Sequence, residues 1–272
     1  MKDLEIKKLY IYPIKSCRGL KIMNTNIQKI GFQYDRFFAV INSKNEILTA
    51  RENSKLLNIS SEINNDKLSL STYGKSSISI DLKKFLTNKI DIKIFNDFAK
   101  AKIVGHETDD WLSHTLQEKC RLVSIDSEHL RKMKSKYNGK ENDYISFSDI
   151  SPIHLISEES LKDLNSKLES QVTIDNFRPN ILVSGSPAYE EDNWSSVKIG
   201  NCEFEVTLKT PRCKFITIDP ITTKVDSKQE PLRTLSEYRK IENYINFGIY
   251  LMPKNKGVIN IYDKIKTTDN TI

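Results

Sequence analysis

The stretch Cys202-Glu203-Phe204-Glu205-Val206-Thr207-Leu208-Lys209-Thr210-Pro211-Arg212-Cys213 alternates apolar and polar residues, then runs into proline, arginine and cysteine. Period-two alternation places Cys202, Phe204, Val206 and Leu208 on one face, as in a half-buried strand. The pattern recurs at Leu4, Ile6, Leu9 and Ile11, at Ile78, Ile80 and Leu82, and at Ile90, Ile92 and Ile94. Helical spacing is scarcer: Trp111, Leu112, Thr115 and Leu116 follow acidic residues, Leu161, Leu164 and Leu168 follow Ser157, and Leu235, Tyr238 and Ile241 follow Thr234. Thr234 with Glu237 spells a capping box, which predicts a helix starting near Thr234. Many strands interrupted by a few helices predict an α+β, β-rich fold built on barrel or sandwich sheets.

A chain of 272 residues makes one large domain or two small ones. Its 38% hydrophobic and 29% charged residues are ordinary for a soluble globular protein. The longest apolar run, Phe37 to Ile41, is far too short to cross a bilayer, and no membrane contact is expected. Charged residues among Lys2, Asp3, Glu5, Lys7 and Lys8 interrupt any signal-peptide core, so the expected compartment is the cytoplasm. The net charge of +6 is spread among interleaved acids and bases, which reads as a solvated surface with a mild preference for anions. Nucleic acid is not an expected partner.

Common signatures are missing. The nearest glycine pair, Gly248 and Gly257, is too widely spaced for a dinucleotide or P-loop fingerprint. C-x-x-C, H-E-x-x-H and G-x-S-x-G are also absent, and His106, His114, His129 and His154 show no metal-ligand spacing. Residues 127–143, rich in Lys, Asn and Ser, predict a mobile loop at a boundary or over an active site.

Three segments carry more chemistry than structure alone requires. In Tyr12-Pro13-Ile14-Lys15-Ser16-Cys17-Arg18-Gly19 a strand ends in a turn with two cations and a hydroxyl, a combination that suits an oxyanion or an exposed turn. In Gly31 to Val40, Asp35 and Arg36 are neighbours on an expected strand and so face opposite ways, leaving Arg36 for an anion or for solvent. The third combines Asp175-Asn176-Phe177-Arg178-Pro179-Asn180 with Thr210-Pro211-Arg212-Cys213. Arg212 favours thiolate at Cys213, the form that binds soft metals or attacks electrophiles, although a single cysteine is commonly inert core. Cys120 and Cys202 read as core, Cys17 as packing in the turn, and Asp175 beside Arg178 as a candidate proton relay.

Together these segments resemble the MOSC family, in the branch of the amidoxime-reducing components and YcbX-like proteins. The carrying stretches are YPIKSCRG, GFQYDRFFAV, ISPIHLISEESLKDLN, DNFRPNILVSG, PRCKFITIDP and EPLRTLSEYR, in family order. The resemblance implies a MOSC β-barrel formed by residues 1–36 plus 126–272, with a smaller α/β N-terminal subdomain, residues 37–125, inserted into it. It implies a molybdenum cofactor, a molybdopterin, with Cys213 as catalytic residue and metal ligand. Lys15, Ser16, Arg36, Arg178, Asn180 and Arg212 match cofactor-holding positions, and Ser151 and Tyr250 match further contacts. Pro211 departs from the family's small polar residue there, which removes a hydroxyl and a backbone N–H. Thr210 stands where some relatives have a second cysteine.

The implied activity is reduction of N-hydroxylated compounds (amidoximes, hydroxylamines, N-hydroxylated nucleobases) by oxygen removal at a cysteine-ligated molybdenum. The alternative is a cofactor carrier or a persulfide-based sulfur-transfer protein. No cysteine spacing fits the iron-sulfur domain that YcbX-like relatives append, and no membrane anchor is read. The expectation is therefore a terminal reductase served by a separate electron donor: a flavin or haem reductase, or a ferredoxin.

Overall fold

The computed structural model describes residues 3–84 and 88–269. Its centre is a nine-stranded sheet whose main path runs Leu20–Ile22, Glu5–Ile11, Ile181–Ser184, Ile153–Ser157, Tyr244–Pro253, Cys202–Pro211, Trp194–Ile199 and Ile265–Asp269, with Lys240–Ile241 pairing beside it. Among the described residues of this sheet, the Ile153–Ser157 and Ile181–Ser184 strands make the one parallel pair. The path closes on itself. Ile6 N donates to Asp263 O at 3.0 Å, Tyr262 N to Ile6 O at 2.8 Å and Ile265 N to Leu4 O at 2.9 Å, so the first long strand and the last segment seal a barrel. Closure removes two edges that would otherwise present unpaired backbone groups.

Period two then sorts the side chains. Ile6, Leu9, Ile11, Ile153, Leu155, Ile249 and Leu251 turn inward onto Phe204 and Trp194. From alternate positions, Tyr10, Tyr12, Ile156 and Leu182 turn outward; with Phe247, which lies across the irregular backbone at Gly248, they are covered by three helices: α2 (Glu158–Asn165), α3 (Ile174–Phe177) and α4 (Leu232–Tyr238). Helix α2 begins where expected, with the Ser157 hydroxyl accepting from Glu159 N at 3.2 Å. A second, four-stranded antiparallel sheet (Phe38–Asn42, Cys120–Ile125, Asp97–Ile103, Lys89–Ile94) packs beside the barrel with helix α1 (His106–Leu116). The α+β, strand-rich expectation holds.

Several local expectations fail for identifiable reasons. The Cys202–Pro211 strand loses its phase at β-bulges between Val206 and Leu208 and between Lys209 and Pro211. Thr207, inside the first bulge, and Thr210, inside the second, are buried and Leu208 is only partly so, because each extra residue shifts the phase of the strand. The capping box does not form. Helix α4 starts at Leu232, with Thr234 already inside it, and the Glu230 carboxylate accepts from Thr234 N at 3.1 Å. Ile241 lies outside that helix on an exposed hairpin. Residues 127–143 are tethered: Arg131–Lys132 pairs with Tyr144–Ile145, Met133 is buried, and Asn138 donates to Thr207 O at 2.6 Å. Met133 supplies an apolar anchor that composition alone hid among lysines.

Candidate functional site

Three backbone hydrogen bonds lace the first two sequence segments together, and a fourth ties the second to Phe147. Phe38 N donates to Pro13 O at 2.9 Å, Lys15 N to Phe38 O at 2.8 Å, Arg36 N to Tyr12 O at 2.8 Å and Phe147 N to Arg36 O at 3.0 Å. The strand expected through Asp35 and Arg36 is instead a turn, with Arg36 at φ 46°. Its curvature brings the two neighbours into contact: Arg36 Nη1 donates to Asp35 Oδ2 at 2.6 Å, and Asp35 Oδ1 accepts from Tyr12 N at 2.8 Å. Ser16 and Arg178 also hold left-handed backbone, at φ 66° and 55°. Each such residue costs roughly 1–3 kcal/mol, a concentration of strain typical of functional sites.

The lacing opens one cavity on the outer face of the barrel, beside the second sheet. All nine residues expected to hold a cofactor or metal line it: Lys15, Ser16, Arg36, Ser151, Arg178, Asn180, Arg212, Cys213 and Tyr250. Asp175 does not; it is exposed on α3 and lies outside the lining. Arg51, Asp149 and His154 line the cavity but were not selected. Asp149 and His154 flank or fall within the Ile150-Ser151-Pro152-Ile153-His154 stretch, so proximity along the chain was their signal. Arg51 had none, since it comes from the turn after the Phe38–Asn42 strand.

The cavity is electropositive. Lys15, Arg36, Arg51, Arg178 and Arg212 line it against a single carboxylate, Asp149. Lys15 Nζ donates to Phe147 O at 2.8 Å and to Asp149. Burial pulls the Lys15 ammonium down, and Asp149 opposes this; burial raises Asp149, but Lys15, Arg51 and Arg36 hold the carboxyl below its usual range. The Arg36 and Arg178 guanidinium carbons lie 4.3 and 4.1 Å from the Tyr12 ring centre, so one buried ring supports both. Asn180 spends its amide on protein partners: Oδ1 accepts from Arg36 Nη1 at 3.0 Å and His154 N at 3.1 Å, and Nδ2 donates to Tyr10 O at 3.2 Å. It sets the position of Arg36 and of the Ile153–Ser157 strand.

Two cations remain under-satisfied. Arg178 Nη1 donates to Cys17 O at 2.6 Å and Arg212 Nη2 to Phe177 O at 3.0 Å, but Arg178 Nη2 and Arg212 Nε are buried without a partner. A buried unpaired donor costs about 1–3 kcal/mol, more when charged. Burial pushes the Arg178 guanidinium down to about 10. His154 Nε2 lies 3.5 Å from Arg212 Nη1 and 3.4 Å from Phe247 O, and burial followed by Arg212 drives its pKa well below the ordinary value. A neutral imidazole results. Burial pushes the Tyr250 phenol up to about 12, so it stays protonated.

The cysteines divide sharply. Cys17, Cys120 and Cys202 are buried, and Cys213 is exposed. Burial pushes the Cys17 and Cys120 thiols up to about 12 and about 11, as suits inert core residues. Cys213 follows Arg212, whose N donates to Ile245 O at 2.7 Å, and the bulged end of the Cys202–Pro211 strand carries both to the cavity. Pro211 lines the cavity without a hydrogen-bond donor, whereas Thr210 is fully buried and outside the lining. The constellation offers an anion five cations and a soft metal one accessible sulfur.

Comparison with known proteins gives a consistent picture. Residues 3–119 match the MOSC N-terminal beta barrel domain and residues 142–266 match the MOSC domain. The chain is 35% identical to mitochondrial amidoxime reducing component 2 of Rattus norvegicus, over 96% of this chain and 82% of the rat protein. It is 34% identical to mitochondrial amidoxime-reducing component 1 of Mus musculus (96% and 81%) and 33% identical to that of Homo sapiens (96% and 82%). Among the described residues no helix is long and apolar enough to cross a membrane.

Proposed function

Because this chain belongs to the MOSC domain family, we propose that its basic cavity holds a pyranopterin molybdenum cofactor through Cys213 and that the protein reduces N-hydroxylated compounds to the parent amines, amidines or bases. The observation that carries the proposal is the pairing of the exposed Cys213 thiol with buried guanidinium N–H groups on Arg178 and Arg212 that lack acceptors. A phosphate-bearing, thiolate-ligated group supplies what those atoms lack. Lys15, Ser16, Arg36, Arg178 and Arg212 would hold its anionic part, Cys213 would ligate the metal, and Ser151 and Tyr250 would bound it from the Ile153–Ser157 side. When bound, the group supplies a two-electron centre that accepts an oxygen atom.

The residues of this chain do the rest. Asp35 and Asn180 fix Arg36, Tyr12 carries Arg36 and Arg178, and neutral His154 sits beside Arg212 without adding repulsive charge. Removing the hydroxyl oxygen takes two electrons and two protons and releases water. The protons enter from solvent at the cavity mouth, and the electrons come from a separate donor protein of the flavin, haem or ferredoxin class. We read residues 1–36 with 126–272 as the barrel unit and 37–125 as its insertion. Support comes from the Glu5–Ile11 strand, which pairs with Ile181–Ser184, while the Phe38–Asn42 strand pairs with Cys120–Ile125.

Metal analysis and turnover of benzamidoxime with a reducing dye test this reading. The wild type is expected to hold about one molybdenum per chain and to produce benzamidine, and Cys213→Ala to do neither. A metal-free wild type carrying cyanide-labile sulfur on Cys213 would overturn the reductase in favour of a sulfur carrier.

A further inference from the structure

Among the described residues, Arg51 is the one cavity cation that lies within residues 37–125, and it differs from the other four. It is exposed, and among the described residues no carboxylate or carbonyl forms a hydrogen bond or ion pair with it. Its backbone is nevertheless fixed: Thr49 N donates to Glu52 Oε2 at 2.8 Å and Glu52 N to Thr49 O at 3.0 Å, which pins the turn that presents it. Its guanidinium lies 5.1 Å from the centre of the Phe95 ring, and Lys15 Nζ lies 5.4 Å from the same ring.

Phe95 is equally out of the ordinary. The register Asp97↔Ile94 leaves Phe95 and Asn96 as a two-residue hairpin tip, and Phe95 has φ 55°. Such a position favours Gly, Asn or Asp, and a bulky residue there is an outlier. Phe95 is 45% exposed, so core packing does not explain it. Backbone pairing sets the tip against the Arg51 turn, since Ile47 N donates to Lys93 O at 2.9 Å and Lys93 N to Asn45 O at 2.8 Å. A strained, exposed aromatic is thus held against a cation at the mouth of the cavity.

The geometry points to Arg51, backed by Phe95, as the element that selects the substrate's non-reacting part: a planar, unsaturated group attached to the carbon that bears the N-hydroxylated nitrogen. A guanidinium stacks on planar π systems and donates in its own plane to their acceptors, which an ammonium cannot reproduce. Arg51 is the specificity-determining residue, and Phe95 is its positioning residue. This rests on the reductase reading above and gives the second sheet a part in substrate choice.

Benzamidoxime and acetamidoxime test it, because they share the reacting group and differ only in the planar ring. With purified holoenzyme, Phe95→Ala is expected to raise KM for benzamidoxime about fivefold and Arg51→Lys about tenfold. The benzamidoxime to acetamidoxime KM ratio shifts with them, and both variants retain wild-type molybdenum. Calorimetric titration of the oxidised holoenzyme with benzamidoxime is expected to show the same weakening without turnover. An unchanged KM ratio in both variants overturns the inference and leaves the reductase standing, and so does loss of molybdenum from Arg51→Lys, which would make Arg51 a cofactor holder. A wild type that neither binds molybdenum nor turns over either amidoxime overturns both.

Discussion

Replacing Asp35 by Asn isolates the charge that holds the cationic cradle together. The carboxylate is almost fully buried; its Oδ1 accepts from Tyr12 N at 2.8 Å and its Oδ2 from Arg36 Nη1 at 2.6 Å. Asn keeps the shape and the Tyr12 acceptor, so the change falls on Arg36. That guanidinium retains only neutral acceptors, Asn180 Oδ1 at 3.0 Å and Arg178 O at 3.1 Å, with the Arg178 cation stacked on the same tyrosine. Removing one partner of a buried ion pair costs about 3–5 kcal/mol. The surviving acceptors place the cofactor-free protein near the low end, about 3 kcal/mol. At about 2–4 °C per kcal/mol for a chain of this size, Tm falls by roughly 6–12 °C. Urea unfolding followed by circular dichroism measures the loss directly. Added inorganic phosphate should narrow the gap, because an anion in the cavity offsets the uncompensated cation in the variant, while the general salting effect is common to both proteins. A loss below about 1 kcal/mol, or a gap that phosphate leaves unchanged, would refute the idea that Asp35 neutralises Arg36 and that the cavity is built for an anion.

Other outcomes follow from single features. N-ethylmaleimide should label one thiol per native cofactor-free chain, at Cys213, and none in Cys213→Ser, whereas denatured wild type takes up four; mass spectrometry of digests reads this. Gly248→Ala meets backbone that cannot yield: φ is 79° and an added Cβ would lie 2.5 Å from Leu155 O and 2.8 Å from His154 Nε2. The left-handed backbone and overpacking together cost about 2–5 kcal/mol, and a urea midpoint near wild type would contradict the clash. Glu191 is fully buried and forms no ion pair among the described residues, and burial raises its carboxyl from 4.5 to about 6. The folded state therefore holds the proton more tightly, so this stabilisation is complete below pH 4.5 and is lost as pH rises through 6. Its size is about 2 kcal/mol at about 1.4 kcal/mol per pKa unit, and Glu191→Gln should gain on wild type by that amount between those pH values in urea titrations.

The chain's own pattern determined the class of fold and most of the site's residue types. Alternation at Leu9 and Ile11 and at Phe204 and Val206 survives because neighbouring side chains on a strand point to opposite faces wherever the strand lies. The turn chemistry around Lys15 and the Arg212-Cys213 pair were legible because their residues are contiguous. What the linear order did not contain was any change of phase or any contact between distant segments. The bulges in the Cys202–Pro211 strand swap which side chains face inward and carry Cys213 to the cavity, and the turn at φ 46° joins Asp35 to Arg36, which alternation had separated. Arg51 and Phe95 meet only because the Lys89–Ile94 strand pairs beside residues 45–47. Residue type is a property of one position and can be read there. Which cations share a ring, which N–H groups lack acceptors and which thiol stays accessible depend on closure of the barrel and on long-range packing, so only the tertiary structure decided them.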